Sequence, residues 1–132
     1  LRVGMAFASA DIIHVMNKVK APYNINEMSQ QIAMKALDEL PQVNEWIKEI
    51  VAERKLLAEE LKKFSFVLKV FPSEANFLLI KTTSPKEIYD HLSKNGIVIR
   101  DRSKIALCEG CLRITIGKKE ENKKLLDCLK LF

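Results

Sequence analysis

The chain has 132 residues, 48% hydrophobic and 30% charged, with only four glycines and four prolines. That composition supports one packed core and argues against long disordered or linker segments, and no apolar run reaches the ~18 residues of a membrane-spanning helix. The net charge of +5 permits an anionic partner without requiring one. The lysines of "ELKKF" and "GKKEENKKLL" interleave with glutamates, as on solvated helix faces, so no nucleic acid and no membrane partner is expected.

In chain order, "LRVGMAF" (1–7) predicts a strand with no lead-in. "SADIIHVMNKVK" predicts a helix with Ser9 as N-cap and Ile12, Ile13, Met16 and Val19 on one face. "APYNIN" is an extended or turn segment, because Pro22 restricts Ala21. Asn26 can cap a second helix, "EMSQQIAMKALDEL", which Pro41 interrupts because it lacks an N–H donor. A long amphipathic helix follows, "QVNEWIKEIVAERKLLAEELKKF". Its stripe of Trp46, Ile47, Ile50, Val51, Leu57, Ala58 and Leu61 predicts a core face.

After Phe64 the period changes. "SFVLKVF" and "ANFLLIKT" alternate as strands do. "SPKEIYDHLSKNG" carries helix punctuation: Ser84 as N-cap, Pro85 in the first turn, Glu87 to complete a capping box and Gly96 as the stop. "IVIRD" and "CLRITIG" predict two further strands, and "KKEENKKLLDCLKLF" a closing amphipathic helix. The expected fold is α+β, a small, largely antiparallel sheet with helices packed on one face, preceded by the long amphipathic helix. Residues 1–40 do not share this pattern and read as elements that need another body to pack on.

The cysteines are Cys108, Cys111 and Cys128. An odd number, with no basic-then-apolar leader, predicts a reducing, cytoplasmic setting. "CEGC" has C-x-x-C spacing, but a structural zinc needs two more ligands, and the two histidines, His14 and His91, are remote in sequence. A redox C-x-x-C opens a helix, whereas a strand-like run follows here. No metal ligand is assigned, and the favoured reading is two small side chains around a glycine turn.

Two arginines stand apart from the lysine-rich surface. In "LRITI", alternation puts Leu112, Ile114 and Ile116 on one face and Arg113 and Thr115 on the other. If the apolar set meets the helices, Arg113 points from a rigid strand to the uncovered face, where its planar fork of donors suits a carboxylate. Arg100 closes "GIVIR" at a strand end, where polar groups commonly line a site. The alternative is a pair of surface arginines with local acidic partners such as Asp101 and Glu109.

The segments "LRVG", "KVKAPYNIN", "FPSEANF", "IVIRDRS" and "GCLRITIG" occur in this order along the chain. Together they resemble the C-terminal part of the histidinol-phosphate aminotransferases, pyridoxal-phosphate enzymes of the aspartate aminotransferase fold. The resemblance covers essentially the whole chain. It implies that residues 1–40 are a remnant of the large cofactor-binding domain and its lead-in helix, and residues 41–132 the C-terminal small domain. It implies that Arg113 grips the substrate α-carboxylate, that Arg100 contacts the phosphate of histidinol phosphate or its keto counterpart, and that Arg2 contacts the phosphate of the cofactor, pyridoxal 5'-phosphate. Histidinol phosphate has no carboxylate, so Arg113 would serve the half-reaction with glutamate, and a second use near the phosphate stays open. The implied reaction moves an amino group between L-histidinol phosphate and 2-oxoglutarate, in histidine biosynthesis, in a cytoplasmic homodimer.

The lysine that anchors the cofactor should lie just before "LRVG", and the large domain that holds the cofactor ring is also absent, so no catalytic residue is assigned in this chain. The fragment alone is expected to be inactive and not to bind the cofactor. Another pyridoxal-phosphate enzyme of the same build, such as a threonine-phosphate decarboxylase or an aromatic aminotransferase, is one alternative. A non-catalytic basic module that binds anions is the other.

Overall fold

A computed structural model describes residues 3–132. The chain divides into two compact units, Leu1–Asn44 and Glu45–Phe132.

The first unit holds α1 (Ala10–Val19) and α2 (Glu27–Asp38). Asn26 caps α2 as expected, its side-chain oxygen accepting from Ser29 N at 2.8 Å. Ser9 occupies the N-cap of α1 in extended backbone, but its side chain makes no capping bond. Neither helix buries a residue; Ile12, Met16 and Val19 of the predicted apolar face are exposed. Of the strand expected over 1–7, the described part is not formed: residues 3–9 carry no regular structure and are exposed, while Leu1 and Arg2 lie outside the described residues. Strand propensity is realised only in a ladder, and none of the described residues pairs with this segment.

Helix α3 (Leu40–Leu61) begins in the first unit and continues into the second; Pro41 is in its first turn, where the missing N–H has no intrahelical partner to lose. Leu57 and Leu61 are buried, with Ile50 and Ala58 packed beside them. Trp46 and Ile47, expected in the core, are each 51% exposed. Arg54 is buried instead, on the same stripe.

The sheet comprises β1 (Val67–Val70), β2 (Phe77–Thr82), β3 (Arg100–Asp101) and β4 (Cys111–Thr115). Its spatial order is β1-β2-β4-β3, every pair antiparallel. Helices α3, α4 (Pro85–Lys94) and α5 (Lys119–Leu129) cover one face. Alternation sends Leu78 and Ile80 of β2, and Leu112 and Ile114 of β4 with Ile116 beyond it, into that interface. They meet Ile88 and Leu92 of α4 and Leu125 and Leu129 of α5. Each such side chain contributes about 1.5–3 kcal/mol by leaving water.

Two local expectations are corrected. Ser84 stands at the N-cap of α4 without a side-chain bond, so the capping box with Glu87 does not form. Its backbone, at φ −133° and ψ 65°, departs from the extended N-cap geometry. The stop at Gly96 does form: φ is +73°, and Ile97 N donates to Leu92 O at 2.9 Å, closing the helix in a Schellman turn. The strand "IVIRD" shrinks to Arg100 and Asp101, because only these two find partners, Arg113 and Leu112. Val98, just after the turn, is 80% exposed.

Candidate functional site

The sheet face away from the helices collects the odd-numbered positions of β2 and β4. Phe77, Leu79 and Lys81 lie opposite Thr115, Arg113 and Cys111, in that order. Lys69 of β1 pairs with Lys81, and Arg100 of β3 pairs with Arg113. Two like-charged pairs therefore stand directly opposite each other, and no acidic residue occupies these rows. Like charges in that relation destabilise a sheet, so this face favours an anion.

Arg113 is the better-defined cation. It is partly buried at the centre of the row Arg100–Arg113–Leu79, and its guanidinium carbon lies 5.1 Å from the centre of the Phe77 ring. Its Nε is buried with no hydrogen-bond acceptor. An orphaned buried donor costs about 1–3 kcal/mol, and a carboxylate oxygen would relieve it. The ring packs against the guanidinium by cation–π contact.

The local acids do not neutralise the pair. Asp101 accepts from Ser103 N at 2.8 Å and from the Ser103 hydroxyl. These bonds hold its carboxyl below the ordinary aspartate range, and Lys104 adds to the effect. Glu109 Oε1 accepts from Leu107 N at 3.0 Å. Among the described residues no ion pair involves Arg100 or Arg113. Arg2, the third predicted site residue, lies outside the described residues.

"CEGC" is a turn leading into β4. Cys111 N donates to Cys108 O at 2.9 Å, and Gly110 has φ +76°. Both thiols are free. Burial, with a smaller contribution from Cys108, pushes the Cys111 thiol up, which works against a reactive thiolate. A side chain at Gly110 would be strained by that φ and would sit 3.3 Å from Thr82 O, the residue whose N–H bonds Gly110 O.

Two contributors escape the sequence reading. Phe77 lies in "SEANF", whose motif gives no hint of its stacking on Arg113. Arg54 looks like one charge among many on α3, yet Ile50, Arg54, Leu57 and Leu61 follow core spacing, and a charge on that stripe is the signal. Arg54 Nη1 donates to Ala75 O at 2.7 Å and Nη2 to Glu74 Oε2 at 3.2 Å.

An open antiparallel sheet with helices on one face, the long α3 among them, matches the fold of the aminotransferase small C-terminal domain. Residues 1–129 match the family model for aminotransferase class I and II, and the chain belongs to that family. It is 48% identical over 132 residues to the histidinol-phosphate aminotransferase of Cytophaga hutchinsonii, covering 100% of this chain and 38% of that protein. It is 50% identical over 130 residues to the enzyme of the same name from Flavobacterium psychrophilum, covering 98% of this chain and 37% of that one. The chain thus spans a little over a third of the length of these curated relatives. Among solved structures, the histidinol-phosphate aminotransferase from Clostridium acetobutylicum superposes with a TM-score of 0.79 at 32% identity, over 91% of this chain and 37% of that one. The Sinorhizobium meliloti enzyme, solved with pyridoxal-5'-phosphate, shares the fold at a TM-score of 0.67 and 21% identity, over 90% of this chain and 34% of that one.

Proposed function

We propose that this chain is the C-terminal part of a histidinol-phosphate aminotransferase, acting in histidine biosynthesis as a cytoplasmic homodimer. The observation that carries this reading is the unneutralised Arg100–Arg113 pair on an acid-free sheet face. The identity to enzymes of that name supports it.

The substrates of such an enzyme are anions of two kinds, the carboxylates of glutamate and 2-oxoglutarate and the phosphate of L-histidinol phosphate or imidazole acetol phosphate. Arg113 receives the α-carboxylate through its planar fork, with Nε supplying a donor that otherwise has no acceptor. Phe77 holds the fork in one plane, so the bound acid is oriented as well as attracted. Arg100, exposed across the ladder, takes the phosphate of the alternative substrate. Arg2 is assigned to the cofactor phosphate. Pyridoxal phosphate, when bound, supplies the electron sink for amino transfer. The described residues of this chain bind and orient anions, and none is assigned the proton transfers.

The test is amino transfer by the intact protein. L-Histidinol phosphate and 2-oxoglutarate should give glutamate at a rate well above that with aromatic amino acids. Carbon dioxide release from threonine phosphate would point to a decarboxylase. DNA or RNA binding that falls steeply with salt, without amino transfer, would point to a basic binding module.

A further inference from the structure

We propose that Arg54 is a positioning residue for the Arg113 carboxylate clamp, acting through the Ser73–Phe77 turn; this rests on the aminotransferase reading above. Arg54 is only 8% exposed, and it is the one charged side chain buried among the described residues. Its carboxylate partner does not account for that burial. The Glu74 side chain is fully exposed, and an exposed partner screened by water does not offset the desolvation of a guanidinium. The short contact is with backbone, from Nη1 to Ala75 O at 2.7 Å.

That carbonyl belongs to a turn tied at several points. Ala75 N donates to Ser73 Oγ at 3.1 Å, and the same hydroxyl donates to Phe77 O at 2.6 Å. Asn76 O accepts from Ile116 N, at the end of β4, at 2.9 Å. The turn delivers Phe77, whose ring lies against the Arg113 guanidinium. Arg54 thus fixes from α3 the backbone that sets the ring, and the ring sets the plane of the clamp. An apolar residue at 54 would fill the space but leave Ala75 O without its donor.

The experiment uses the intact holoenzyme, with 2-oxoglutarate titrated calorimetrically and kcat and KM measured for glutamate. Arg54→Met should raise the Kd for 2-oxoglutarate and the KM for glutamate about tenfold, with kcat within about threefold of wild type. Arg54→Lys should recover part of the affinity, because an ammonium can still donate to Ala75 O. Phe77→Leu, which leaves Arg54 untouched, should show the same loss of affinity. Wild-type affinity in Arg54→Met, or a fall in kcat at unchanged KM, overturns the proposal. If Arg54→Met does not fold, the decision passes to Phe77→Leu, and wild-type affinity there overturns it. If the wild-type enzyme does not bind 2-oxoglutarate, or Arg113→Ala binds it as tightly as wild type, the aminotransferase reading fails and takes the proposal with it.

Discussion

Arg100 stands directly across the β3–β4 ladder from Arg113, cation opposite cation, and among the described residues neither is held in an ion pair. A sheet gains nothing from that arrangement by itself. Opposed like charges cost about 0.2–1 kcal/mol, and Arg113 also holds a buried donor without an acceptor. Both penalties fall away when an anion sits on the face.

The unliganded protein should therefore be relieved by neutralising one member. Arg100→Gln is expected to raise stability by about 0.2–1 kcal/mol at low ionic strength. Added phosphate should raise the Tm of the wild type and have a smaller effect on the variant. Thermal melts with and without phosphate at fixed ionic strength check both.

The core should respond in proportion to burial. Leu112 is fully buried at the centre of the sheet, whereas Val98 is 80% exposed. Leu112→Ala should destabilise by about 2–5 kcal/mol, and Val98→Ala by about 0.5 kcal/mol or less. Urea unfolding followed by circular dichroism measures the difference.

The helix–sheet core was legible because its signals are local. Alternation in "LRITI" places Leu112 and Ile114 inward and Arg113 outward, and Gly96 marks the end of α4. What failed depended on partners distant in sequence. Trp46 and Ile47 have helical spacing but no buried place; residues 3–7 have strand propensity but no ladder among the described residues; Ser84 has cap chemistry but the wrong backbone angles. The site was half legible. Arg100 and Arg113 stand out as arginines among lysines, but their direct opposition depends on register across a loop, and no local pattern encodes it. Arg54 is found only once its acceptor, Ala75 O, is brought to it from 21 positions along the chain.

Asp101 gives a pH signature. The Ser103 hydroxyl and N–H favour the carboxylate, so its folded pKa lies below the ordinary value of 3.8. A depressed carboxyl contributes stability that is present above the unfolded pKa and lost as pH falls through the folded one. Wild type should thus exceed Asp101→Asn in Tm by a constant margin above about pH 4.5, and that margin should shrink as the pH drops below about 4. A pH series of melts on the two proteins reads it directly.

The cysteines should differ in reactivity. Cys108 is partly exposed, while Cys111 is buried and its thiol is pushed up. Iodoacetamide at pH 8 should label Cys108 first in the native protein, with Cys111 reacting only on unfolding. Peptide mapping by mass spectrometry gives the order.

The central claim is that the two arginines serve two different anions, and single-turnover half-reactions of the intact enzyme test it most directly. Arg113→Ala should cost about 2–4 kcal/mol of transition-state binding with glutamate, and Arg100→Ala a similar amount with histidinol phosphate. The account predicts that Arg100→Ala damages the phosphorylated substrate far more than glutamate. Equal losses on both substrates from Arg100→Ala, or wild-type glutamate kinetics in Arg113→Ala, would contradict it.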